Sequence, residues 1–242
     1  MKKNLWKFAI MFLLVLTFSS CYTTKYFGVC KFNLSNVQNL TDETDNSVNI
    51  QSKESLLYKD SIIKIQWTPN DKEFAFVLEN VTNSVISIDW NNVVYYDPSG
   101  KSCRTMHSGV KFIDRNSAQP SSTIIPKSKL DDLVQPTDNV YFNEGTYSKY
   151  GSTPSSWQSV ELFSINSKDV NLAQSSADLY KNKDVKILMP ITYKNKTINY
   201  IFNFNISDVK VNQRQEYDFM NTYLATLGIT TVASLFILLL YL

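Results

Sequence analysis

The stretch VKILMPITYKNKTINYIFNFNI, residues 185–206, decides the fold. Val185, Ile187, Met189 and Ile191 recur at every second position, and so do Ile198, Tyr200, Phe202, Phe204 and Ile206. Successive side chains of a strand point to opposite faces, so a period of two puts each set on one side. Lys194, Asn195 and Lys196 form a polar turn between the two runs. The return run carries Asn199, Ile201, Asn203 and Asn205 on its other face. The pattern predicts an antiparallel hairpin with one buried and one wet face.

The same period extends upstream. Ile63, Ile65 and Trp67 alternate with Lys64 and Gln66 before Pro69. Phe74, Phe76 and Leu78 follow, then a turn-like cluster over residues 80–84 and a second alternating run over 85–96. Asp97-Pro98-Ser99-Gly100 is a turn signal, with Pro fixing φ and Gly free to take the left-handed position. Residues 104–134 show little alternation and contain Gly109, Pro120 and Pro126, which predicts a long connection with residues 123–125 as an edge strand at best. Residues 139–142 return to a strand pattern, and 145–156 read as a flexible loop. Residues 169–181 predict one short helix with Leu172, Ala173, Ser176 and Leu179 on one face. Short strands separated by turns predict a mainly β fold, an antiparallel Ig-like β-sandwich in architecture. The Cys…Trp…Cys spacing of immunoglobulin domains is absent.

Both ends carry a membrane signal. Lys2, Lys3 and Lys7 precede an apolar core over residues 8–18, which is too short to span about 30 Å of hydrocarbon. Phe18-Ser19-Ser20-Cys21 then resembles the bacterial lipobox, with Phe18 where Leu is usual. That resemblance implies acylation of Cys21. Residues 223–242 contain no charge and are long enough to cross a bilayer as a helix. Thr222, Thr226, Thr230 and Ser234 would form a stripe of small residues along it, a packing face for another membrane helix. The predicted organisation is a lipoprotein signal peptide (1–20), a polar tether (21–57), a β-sandwich domain (58–207), a linker (208–222) and a transmembrane helix (223–242). The expected location is the bacterial cell envelope, membrane-anchored, with the β domain outside the cytoplasm. The lack of acidic residues in Tyr22-Thr23-Thr24-Lys25 leans toward the periplasm.

The formal charge is +2; without Lys2, Lys3 and Lys7 the balance is 21 basic against 22 acidic residues. Such a chain offers no basic stripe for nucleic acid. Five N-x-[ST] sequons, at Asn33, Asn39, Asn80, Asn195 and Asn205, are unsurprising among 23 asparagines. With Cys21 acylated, Cys30 and Cys103 remain; they either pair as a disulfide or leave Cys103 as a small buried apolar group. One histidine and no closely spaced cysteine pair argue against a metal centre, and no cofactor is expected.

Four features are candidate sites. His107 could act as a general base oriented by Asp114, the basis of a hydrolase reading, but no G-x-S-x-G elbow supplies a nucleophile. Asp131, Asp132 and Asp138 could hold a cation, without EF-hand spacing. Asp114 and Arg115 are expected to pair. Tyr147, Tyr150 and Trp157 could form a binding loop for a glycan or peptide.

The run Phe74-Ala-Phe-Val-Leu-Glu-Asn80, Met106-His-Ser-Gly-Val-Lys111, Asp114-Arg115 and Pro136-Thr-Asp-Asn-Val-Tyr141 resembles a group of uncharacterised bacterial envelope lipoproteins. It covers roughly residues 74–142 and implies bacterial origin and placement, without an assigned activity. The expected function is that of a non-enzymatic, membrane-anchored envelope lipoprotein, a protein-interaction or structural module touching membrane lipid and a membrane-protein partner. The alternative is an extracytoplasmic glycan- or peptide-binding module.

Overall fold

The computed structural model describes residues 22–41, 44–48, 56–148 and 151–217. The signal peptide, Cys21, Tyr150, the 223–242 span and the stripe Thr222, Thr226, Thr230 and Ser234 lie outside the described residues. No helix among the described residues is long and apolar enough to cross a membrane.

The protein is mainly β and antiparallel. In chain order, the first strands are β1 (Tyr22–Thr41), β2 (Thr44–Val48), β3 (Leu57–Lys59), β4 (Ile63–Pro69) and β5 (Phe74–Asn80). Next come β6 (Ile86–Ile88), β7 (Val94–Tyr96), β8 (Ser102–Met106), β9 (Ser122–Ile124) and β10 (Lys129–Pro136). Then follow β11 (Val140–Asn143), β12 (Thr146–Ser148), β13 (Gly151–Thr153), β14 (Ser156–Ser159), β15 (Asn166–Ser167), helix α1 (Val170–Tyr180), β16 (Asp184–Tyr193) and β17 (Lys196–Tyr217). Two compact units divide the described residues: 29–164 with 176–210, and 22–28 with 165–175 and 211–217.

In the larger unit the strand order is β1-β17-β16-β7-β8-β10-β5-β4-β3. The hairpin read from residues 185–206 is present, with Ile187 opposite Phe202 and Tyr193 opposite Lys196. Lys194 and Asn195 both have positive φ, 48° and 63°, the primed turn whose twist suits a two-residue hairpin. The alternation over 85–96 is broken once. Asp89 accepts a hydrogen bond from the Asn91 N–H and starts a 3-10 turn over Trp90–Asn92, so β6 and β7 pair with β16 one after the other. The apolar faces of β4 and β5 meet that of β17: Trp67 lies 5.1 Å from Phe202 and 5.4 Å from Phe204, and Phe74 lies 5.0 Å from Phe204. Rings at these separations and tilts add packing energy beyond their buried area.

Three expectations are corrected. Residues 21–57 are not a tether throughout: β1 occupies 22–41 and buries Phe32, Leu34 and Val37. Residues 208–222 are not a plain linker, because β17 continues to Tyr217. Residues 129–136 are not part of a connection; β10 lies between β5 and β8, with Asp132 opposite Phe76 and Gln135 opposite Met106. Asp132 and Gln135 disguise this strand, since each side chain is buried against a polar partner. The edge position of residues 123–125 fits β9, which pairs with β6. Among the five sequons, Asn80 is fully buried, donating to the carbonyls of Ser84, Ile124 and Ile125 and accepting from Thr82.

In the smaller unit, β15 pairs with the start of β1, Tyr26 opposite Ser167. The end of β17 neighbours the same part of β1; Lys25 pairs with Glu216, and Arg214 lies over the Phe27 ring at 5.2 Å. Asp169 caps α1 by accepting from Asn171 N–H and Leu172 N–H. The helix buries Ala173 and Ala177, whereas Leu172 and Leu179 are exposed, so the expected helical face is shifted.

Candidate functional site

The segment following β8 holds the most developed polar arrangement in the larger unit. It begins at His107 and runs through a 3-10 turn over Phe112–Asp114 to Gln119. Neighbouring strands fix it at several points. The Arg104 guanidinium on β8 donates to the carbonyls of Asn116 and Ser117, each at 2.8 Å. Asn91 exchanges two hydrogen bonds with the Gln119 backbone, and Gln119 Nε2 donates to the Thr105 carbonyl at 2.7 Å. A segment tied down in this way loses little conformational freedom when something docks on it.

Asp132 reaches His107 from β10. Its Oδ2 lies 3.2 Å from His107 Nδ1, and its Oδ1 accepts from the Ser108 N–H at 2.8 Å. The carboxylate is 5% exposed and the imidazole 13%. A carboxylate beside Nδ1 favours a proton on that nitrogen, and in the neutral ring Nε2 then carries the lone pair. The expected orienting partner was Asp114; Asp132 holds that position, because β10 passes beside β8. The other face of the imidazole is covered by Trp90, whose indole N–H donates to Ser122 Oγ.

Beside this pair lies a cavity of about 490 Å³, lined among others by His107, Ser108, Lys111, Asp114, Ser117 and Gln119. Two of these residues keep a buried polar atom without a hydrogen-bond partner: His107 Nε2 and Gln119 Oε1. A buried unpaired polar atom costs roughly 1–3 kcal/mol. No serine hydroxyl bonds to Nε2, where the nucleophile of an acyl-transfer triad sits.

The same segment carries an aromatic ledge. Trp157 on β14 packs against Phe112 at 6.4 Å and Phe142 at 5.3 Å, and the Arg115 guanidinium lies 4.8 Å above its ring. Ile113, on the turn, is 69% exposed. Of the binding loop expected from sequence, Trp157 belongs to this ledge, and Tyr147 stands 88% exposed on β12. Arg115 donates to the Phe112 carbonyl and makes no ion pair with Asp114.

The remaining candidates are dispersed. Asp131 and Asp132 point to opposite faces of β10, and Asp138 pairs with Lys101. No group of three or more His, Cys, Asp or Glu among the described residues could hold a metal ion. Cys30 and Cys103 are free thiols. Burial pushes the Cys30 thiol up to about 12, and burial followed by the Asp138 charge raises that of Cys103. Trp90, Arg104 and Gln119 were missed as site residues; no local motif joins them to His107, and only the strand order brings them there.

No family model, curated protein or solved structure matches this chain.

Proposed function

We propose that this protein is a non-enzymatic bacterial envelope lipoprotein, anchored at a membrane, whose Ig-like β-sandwich serves as a protein-interaction module. The two apolar sheet faces meeting through Trp67, Phe74, Phe202 and Phe204 support the sandwich reading. The binding reading rests on one observation. Residues 107–119 are held by Arg104, Asn91, Thr105 and Asp132, line a cavity of about 490 Å³ and leave Ile113 exposed. Evolved interfaces combine such a preorganised polar pocket with an aromatic or Arg anchor. A polypeptide fits this pair of features, with a polar group for the cavity and an apolar side chain for the ledge of Phe112, Phe142 and Trp157.

A photo-crosslinking amino acid placed at position 113 of the full chain in living cells tests the reading. Position 179, equally exposed on α1, serves as the control. The expected result is a discrete protein adduct from position 113, absent at 179 and lost in Gln119→Leu. Equal labelling at both positions, or none at 113, overturns it. A glycan ligand is the second reading, favoured by the Trp157 ring, and peptidoglycan fragments would then compete with the adduct.

A further inference from the structure

We infer that one end of the larger unit, the turns carrying Val85, Ile125, Lys127, Lys194 and Lys196, docks on the surface of an anionic lipid bilayer. This surface is separate from residues 107–119 and does not depend on the binding reading given to them.

Strand register brings these residues together. Tyr193 on β16 stands opposite Ile86 on β6, and Ile86 stands opposite Ile124 on β9. Lys194, Val85 and Ile125 are each the next residue beyond that row, at the ends of three adjacent strands about 4.8 Å apart. Asn80 ties two of the turns to each other. Its amide donates to the Ser84 and Ile125 carbonyls, and its own backbone carbonyl accepts from the Lys127 N–H. The β3–β4 turn adjoins them, since the Val81 N–H donates to the Ile62 carbonyl. The patch is therefore held in shape from beneath.

Its side chains suit a bilayer. Val85 is 49% exposed and Ile125 63%. Lys127, Lys194 and Lys196 are exposed, and none of them makes an ion pair with a described residue. Lys127 Nζ donates to the Val81 carbonyl and Lys194 Nζ lies 5.1 Å over the Tyr193 ring, contacts that leave both charges uncompensated. The acidic residue of these turns is Asp60, and its two oxygens already accept from the Ile62 and Ile63 N–H groups and from the hydroxyls of Tyr58 and Tyr200. Lys127 and Lys194 have φ of 60° and 48°, a left-handed conformation usual for Gly or Asn and costly for other residues. A side chain kept at a backbone cost points to a use for it. Protein interfaces favour Tyr, Trp and Arg and are poor in Lys. The turns over 60–62, 81–85, 125–128 and 194–196, all of them described, carry lysine and aliphatic side chains but neither arginine nor an aromatic ring. Apolar tips among lysines match the headgroup layer, where amines meet phosphates and aliphatic ends dip beneath them.

The experiment holds the full chain in nanodiscs of neutral phosphatidylcholine. It measures sedimentation with sucrose-loaded vesicles of phosphatidylcholine, alone or mixed with phosphatidylglycerol. The expected result is capture by the mixed vesicles only, lost in high salt. Near an anionic leaflet each lysine is worth about fivefold in affinity, so Lys194→Asn combined with Lys196→Gln should bind about 25-fold more weakly. Ile125→Ser should bind several-fold more weakly. The urea midpoint of the lysine variant should not fall, because Asn accepts the left-handed position. Lys72→Gln combined with Lys168→Gln, at two other exposed lysines, should bind like the unchanged chain. Equal capture by both vesicle types, or unaltered affinity in the Lys194 and Lys196 variant, overturns the inference. Absence of capture by the mixed vesicles also overturns it and leaves a protein as the occupant. Gln119→Leu should leave capture intact while abolishing the position-113 adduct, so the two readings fail separately.

Discussion

The imidazole of His107 lies flat on the indole of Trp90, with ring centroids 4.2 Å apart and planes 7° from parallel. With Asp132 on the ring edge, His107 is held in place both across its plane and along its rim. The segment that follows inherits this orientation.

Removing the carboxylate should therefore cost stability. Asp132→Ala strips partners from His107 Nδ1 and the Ser108 N–H in a buried setting. The expected loss is about 2–3 kcal/mol, read from urea unfolding of the full chain in detergent by tryptophan fluorescence. Asp132→Asn keeps an acceptor for Ser108 and should lose less.

Asn80 tests the turn between β5 and β6. Its amide serves three carbonyls and both donors of Thr82. Asn80→Ala leaves these groups buried and unpaired, a cost of about 3 kcal/mol or more. A midpoint shift below the equivalent of about 1 kcal/mol would show that this network is replaceable by water.

Alkaline pH should weaken the fold in part through Cys30. Its folded thiol is raised from 9.0 to about 12, chiefly by burial. The folded state thus prefers the protonated form, and its contribution is complete below pH 9. It declines as pH rises from about 9, where the unfolded thiol ionises, toward about 12. Tyr58, Tyr95 and Tyr200 are shifted upward as well, mainly by burial, and steepen the same decline. The slope of unfolding free energy against pH should be shallower in Cys30→Ala, and Cys30 should react with iodoacetamide at least about 100-fold faster in urea than when folded.

Gly28 has no room for a side chain. A Cβ there would lie 2.6 Å from Ile165 Cδ1 and 2.8 Å from its Cβ. Gly28→Ala should destabilise by about 1–3 kcal/mol. Combining it with Ile165→Ala should cost less than the sum of the two single changes, a coupling that a double-mutant cycle measures.

Arg115→Ala separates binding from folding. The guanidinium above Trp157 is a surface contact worth about 0.5–1 kcal/mol. Stability should change within that range while the position-113 adduct falls several-fold.

The hairpin of β16 and β17 was legible because local alternation and a two-residue turn lie next to each other in sequence. β10 was not, since Asp132 and Gln135 are buried by partners 24 or more residues away, and period-two reasoning takes such residues for solvent-facing ones. β1 escaped notice for a similar reason: Asn33, Asn36 and Asn39 gave it the composition of a tether, whereas Phe32, Leu34 and Val37 carry its burial. At the candidate site, His107 stood out as the only histidine. Its partner Asp132 depends on strand neighbours that no spacing encodes, whereas Asp114 is the closer carboxylate in sequence. The aromatic ledge was half visible, with Trp157 recognised and its neighbour Phe112 hidden in a glycine- and serine-containing connection.

The position of β17 sets the order of assembly. It lies between β1 and β16, so the first of the described strands is joined to β16 through the last of them. Contacts across such a separation carry the full entropy of loop closure and slow folding. While the polypeptide is being made, β1 has only β2 and then β15 to pair with, and the strand that joins it to β16 is missing. The sheet can close only once residues 196–210 have emerged. Until then, an unfinished chain exposes the apolar face of β1, a natural point of attack for holding factors and proteases.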